Sequence, residues 1–123
     1  MIQANELRIG NLLLFEDNSA IEVRGIHPSG KYIHDGKQWI EIFRCNHIPI
    51  TEEWLLNFGF ELPILGSSIY KLGLGSFSIQ HFGDKIGFFE MRNHKKIDLV
   101  HQLQNLYFAL KGTELTPKAA EII

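Results

Sequence analysis

Turn chemistry cuts the first fifty residues about every ten positions, and this punctuation constrains the fold more than any other feature of the chain. Asp17-Asn18 separates Leu12-Leu13-Leu14-Phe15 from Ala20-Ile21-Glu22-Val23, Pro28-Ser29-Gly30 follows Ile26, and Asp35-Gly36 separates Tyr32-Ile33 from Trp39-Ile40-Glu41-Ile42. Asp, Asn and Gly tolerate the positive φ angles that tight hairpins need. Ile21 and Val23 alternate with Glu22 and Arg24, the period of a strand with one buried face. Strands this short cannot bury a face alone. The pattern predicts an antiparallel, SH3-like small barrel over residues 1–50.

At Thr51 the chemistry changes. Thr51 is placed to cap a short helix whose first turn holds Glu52 and Glu53, and Gly59 is placed to end it. Strand-like segments then run over Glu61–Leu65, Ser68–Leu72, Phe77–Phe82 and Lys85–Met91, with Gly83-Asp84 as a hairpin turn. A long helix is expected from Asp98, as its cap, to Lys111, with Gly112 at the terminator position. Thr116-Pro117 can open one further turn. The fold class is therefore α+β, with residues 1–50 as a barrel-like half and 51–123 as helix, antiparallel sheet and C-terminal helix, joined in one unit.

The last helix poses the functional question. At 100° per residue Leu99, Leu103, Leu106 and Leu110 form one apolar stripe, widened by Val100 and Tyr107. The remaining face carries His101, Gln104, Asn105 and Phe108 with no charge, although a solvated helix face normally carries several. Interface cores lose charge and gain aromatics. These four residues are the predicted contact surface, with a second copy of the chain as the first partner and the chain's own first half or tail as the alternative cover.

Chemistry-bearing motifs are sparse. Gly73-Leu-Gly75-Ser-Phe77 lacks the third glycine and the strand lysine of a kinase phosphate loop and reads as a turn. His27, His34, Cys45 and His47 are ligand types in one half of the chain, but their spacing matches no zinc pattern, so neither metal nor cofactor is expected. No nucleophile stands in a recognised setting and no catalytic residue is assigned, which leans away from an enzyme. The densest basic stretch contains Arg92, His94, Lys95 and Lys96 and is the candidate for the alternative function, nucleic-acid binding. A formal charge of −2, spread evenly over both halves, argues against a basic nucleic-acid block. A single cysteine, no signal-like N-terminus and no run of about 20 apolar residues predict a cytoplasmic protein without membrane spans.

The phrases ELRIGN (6–11), ITEEWLLNFGF (50–60) and VHQLQNLYFALKGTEL (100–115) give the chain a resemblance. In these it resembles a family of short bacterial proteins carried by gut-bacterial chromosomes, prophages and other mobile elements. The family has no established activity, so the resemblance implies a bacterial setting and an accessory role on a phage or mobile element, without catalytic residues. Together these readings predict a non-catalytic protein-binding or structural module that self-associates.

Overall fold

The computed structural model describes residues 2–61, 69–72, 77–81, 88–91 and 95–117. Its fold is α+β, as the sequence predicts. A 3-10 turn at Ala4–Glu6 leads into β1 (Leu12–Phe15), β2 (Ala20–Glu22), β3 (Gly25–Ile26), β4 (Tyr32–His34) and β5 (Trp39–Glu41). A second 3-10 turn at Ile42–Arg44 precedes β6 (Cys45–Asn46). Then come α1 (Glu52–Phe58), β7 (Phe60–Glu61), β8 (Ile69–Leu72), β9 (Phe77–His81), β10 (Phe88–Glu90), β11 (Lys95–Ile97) and α2 (Val100–Lys111).

The expected barrel does not close. Among the described residues the first half forms two separate antiparallel sheets, ordered β2-β1-β6 and β3-β4-β5, while β7 to β11 form a third in sequential order. Strands of two to five residues supply few ladder bonds each, so partner choice is set by what each face must bury. On β1 that requirement is two-sided. Adjacent side chains point to opposite faces. Leu12 enters a core with Ile48, Leu55, Phe58, Phe77, Ile79, Ile97, Val100 and Leu103, whereas Leu13 enters a second with Leu7, Val23, Ile33, Ile40 and Cys45. β1 is thus the shared wall of both cores.

Local chemistry explains the helix ends. Thr51 Oγ1 accepts the Trp54 N–H at 3.3 Å, and Gly59 ends α1 at φ 102°, where a side chain would be strained. The cap of α2 differs from expectation. Leu99, not Asp98, is the flanking residue, and Gln102 Oε1 reaches back to accept the Asp98 and Leu99 N–H groups at 3.1 and 3.2 Å. Gln102 thus supplies the helix-to-cap half of a capping box, fixing the chain as it enters α2. The entry to α2 is held further by Ile50 N–H to Asp98 C=O and Val100 N–H to Ile48 C=O, both 2.8 Å. The expected turns at Gly73–Gly75 and Gly83-Asp84 lie outside the described residues, as does the chain beyond Pro117.

Candidate functional site

The uncharged face of α2 meets the chain's own residues 6–12. Gln104 is 1% exposed, and every polar atom of its amide is used. Its Oε1 accepts the Leu12 N–H at 2.9 Å, and its Nε2 donates to the C=O of Gly10 at 3.1 Å and of Leu115 at 3.4 Å. One turn of chain makes this possible: Gly10 sits at φ 100° and Asn11 Oδ1 accepts the Arg8 N–H at 2.6 Å. Asn105 continues the network. Its Oδ1 accepts from Arg8 Nη1 at 2.9 Å and Asn11 Nδ2 at 2.8 Å, and its Nδ2 donates to the Glu6 C=O at 3.0 Å.

At the C-terminal end Arg8 pairs with Glu114 and lays its guanidinium 4.0 Å above the Phe108 ring centroid. Phe108 remains 39% exposed. At the N-terminal end His101 is 2% exposed and stacks on His47, ring centroids 5.1 Å apart and planes 15° apart. Glu6 Oε1 lies 2.8 Å from His47 Nε2 and 3.5 Å from His101 Nε2. Burial holds the His101 imidazolium below the ordinary histidine range, His47 adds to the effect, and Glu6 opposes it. A cleft of about 470 Å³ opens beside the cluster, bordered by Glu6, Arg8, Lys96, His101, Gln102 and Leu106.

A second feature lies on the outer side of the β3-β4-β5 sheet. The register aligns Gly25, His34 and Trp39 across the three strands, and Ile26, Ile33 and Ile40 beside them. Ile33 and Ile40 face the core, so the neighbouring row faces out. Trp39 is 52% exposed. His27 and His34 stand edge-on against its ring at 5.5 and 5.0 Å, and His27 also meets Tyr32 at 5.7 Å. At Gly25 a Cβ would come 3.2 Å from the His34 Cβ, so glycine lets β3 and β4 approach closely beside the indole. Tyr32 joins this platform to a cleft of about 270 Å³ whose other walls include Ile2, Ala4, Ile42 and Phe43. Phe43 is 65% exposed.

The four ligand-type residues of the first half do not converge. His27 Nδ1 bonds Ser29, His34 Nδ1 accepts the Gly36 N–H, and Cys45 is buried, its thiol pushed up to about 11 by desolvation. Only His47 of these joins a group, and it does so with Glu6 and His101. Among the basic candidates, Arg92 and His94 lie outside the described residues and nothing is described of the Lys95 side chain, while exposed Lys96 pairs with Asp98 at 3.6 Å. Sequence reasoning missed Glu6, Arg8 and Asn11 as partners of α2. Their signal was present: an uncharged helix face needs partners, and ELRIGN offers an arginine and an asparagine around a glycine. Residues 6–11 (ELRIGN) and 100–115 (VHQLQNLYFALKGTEL) thus face one another across this seam. Compared with protein-family models, curated proteins and solved structures, the chain matches none. No helix among the described residues is long and apolar enough to cross a membrane.

Proposed function

We propose that the chain is a non-catalytic protein-binding module whose contact surface is the outer aromatic face of the β3-β4-β5 sheet, with self-association as its first mode. One observation carries the reading: Trp39, Tyr32 and Phe43 are exposed together, and Tyr32 makes the platform continuous with an apolar cleft. Trp, Tyr and Phe bring large contact area at low entropic cost and dominate binding hot spots. Arg24, Lys31 and Lys37 are exposed in the same sheet region, with Glu22 beside Arg24 and Glu41 beside the cleft, so a second copy can meet an apolar centre with rim charges of both signs. The accessory role implied by the family resemblance suits such a module.

Sedimentation over a concentration series, for the wild type and for Trp39→Ser with Phe43→Ser, tests the proposal. Association lost in the variant is the expected result, and a wild type monomeric at all concentrations removes self-association. Exposed aromatics beside basic residues also favour a second reading, single-stranded nucleic acid stacked on Trp39. Oligonucleotide binding that weakens steeply with salt would select it over the first.

A further inference from the structure

We infer that Glu6, His47 and His101 bind a first-row divalent transition metal ion, with zinc the best fit, at the seam between the 3-10 turn Ala4–Glu6 and the first turn of α2. One ligand atom from each residue lies within 4.8 Å of the other two. The residues come from three segments remote in sequence, yet both histidines present Nε2 to the same carboxylate oxygen. Two imidazoles and one carboxylate form a nitrogen and oxygen set suited to zinc and its neighbours, and poorly suited to calcium or magnesium.

The distances fit. Zinc bonds imidazole nitrogen and carboxylate oxygen at about 2.0–2.2 Å, so two ligand atoms on a tetrahedral ion lie roughly 3.4 Å apart. Glu6 Oε1 and His101 Nε2 already stand at 3.5 Å. Glu6 and His47 are closer, at 2.8 Å, the length of a hydrogen bond. Binding opens this contact by about 0.6 Å, and each neutral imidazole then keeps its proton on Nδ1 while Nε2 gives its lone pair to the ion.

The independent pointer is His101. A buried imidazole is normally hydrogen-bonded, because an unpaired polar group loses water without replacement. His101 has no hydrogen bond among the described residues: Nδ1 is buried without a partner, and Nε2 is aimed at Glu6 from 3.5 Å. The rest of the same helix face is fully satisfied, since Gln104 and Asn105 make six hydrogen bonds between them. His101 Nε2 has only the long 3.5 Å contact to Glu6, which an ion in the cluster would replace with a bond of about 2.0–2.1 Å. His101 Nδ1 finds no acceptor to orient the ring, so the site should bind about 10–100-fold more weakly than one with that second bond. Glu6 and His47 are half-exposed, which leaves the fourth coordination position to water.

The test uses chelator-treated full-length protein titrated with zinc sulfate by calorimetry and with cobalt(II) followed by visible absorption, with histidine ring signals read by NMR. One ion per chain is expected, with a higher melting temperature, the visible bands of four-coordinate cobalt, and shifts confined to the His47 and His101 rings. His47→Gln and Glu6→Gln change half-exposed side chains, and each should weaken binding at least about tenfold while circular dichroism stays unchanged. Absence of binding to the wild type overturns the inference. So does unchanged affinity in both variants, or ring shifts at His27, His34 or His81 instead, because either places the ion elsewhere. The wild-type NMR reading decides the matter even where a variant fails to fold.

Discussion

The seam beneath α2 and the outer face of the β3-β4-β5 sheet invert the usual relation between polarity and burial. Gln104 and His101 are 1% and 2% exposed, while Trp39 and Phe43 are 52% and 65% exposed. Hydropathy alone would exchange them. For Gln104 what decides is that each polar atom of the amide finds a partner inside, three bonds in all, whereas His101 is buried with Nδ1 unpartnered and stacks on His47. Once its amide is satisfied, glutamine is a core residue. The Trp39 indole, by contrast, has edge-on contacts with His27 and His34 and leaves half of its surface in water.

The largest effect expected from breaking this contrast is at Gln104. Gln104→Leu nearly conserves volume but strands the Leu12 N–H and the C=O groups of Gly10 and Leu115. Orphaned buried groups cost about 1–3 kcal/mol each where no water reaches them, so a loss on the order of 3 kcal/mol is expected in urea unfolding. A neutral Gln104→Leu would mean that the seam is ordinary apolar packing.

Much of the fold is legible in the sequence for reasons of local chemistry. Thr51, Gly59 and the turns at Asn18 and Gly36 act within four residues of themselves, so their roles can be read from a short window. The open sheets are not legible in a short window, because β1 pairs with β2 and β6 while Leu12 and Leu13 serve two cores built from residues far along the chain. The helix stripe shows the same limit. The stripe places Leu110 in the core and it is exposed, whereas Gln104, expected on a contact face covered first by a second copy, is covered by the chain's own Gly10, Leu12 and Leu115. The periodicity held; the Gly10 and Leu12 groups that turned the helix lie more than ninety residues away. His47 was considered as a ligand only with neighbours in its own half, and its partners Glu6 and His101 became visible only in space.

Cys45 sharpens the comparison from beneath the aromatic sheet. It packs with Leu13, Val23, Ile33 and Ile40, the inner side of the same wall. Its thiol is raised from 9.0 to about 11 by burial, which leaves roughly a hundredfold less thiolate at pH 8 than in the unfolded chain. The sign follows for stability: a raised acid titrates late, so its contribution is complete below pH 9 and is lost as pH rises through 9 toward 11. Alkylation at pH 8 is expected to be at least about a hundredfold slower than in denaturant. Rapid labelling of folded protein would show that the inner face is open to solvent, and the aromatic platform would then be a side of a loose sheet.

A smaller effect is expected where the two regimes mix, at Arg8 and Phe108. The guanidinium bonds Asn105, pairs with Glu114 and covers the Phe108 ring at once. Arg8→Lys keeps the charge and loses the planar fork, so a loss of about 1 kcal/mol is expected, about half of it removed by high salt. A larger loss would make Arg8 part of the core network; none would make its contacts incidental.

The smallest effect on stability is the one that separates the two regions most cleanly. Trp39 and Phe43 keep half or more of their surface in water, so truncating them removes little buried area, whereas most large destabilisations come from cavities or stranded polar groups. Trp39→Ser with Phe43→Ser is expected to change unfolding free energy by less than about 1 kcal/mol, mostly from the indole contacts with His27 and His34. Association, in contrast, should fall at least about tenfold, because exposed aromatic anchors contribute only when a partner covers them. The ratio of the two effects is the measurement. Large loss of stability with unchanged association would make the platform a structural lid over the Ile33 and Ile40 layer. Unchanged stability with lost association would leave the outer sheet face as the surface the fold holds open for a partner, with the α2 seam as the internal joint that keeps it in place.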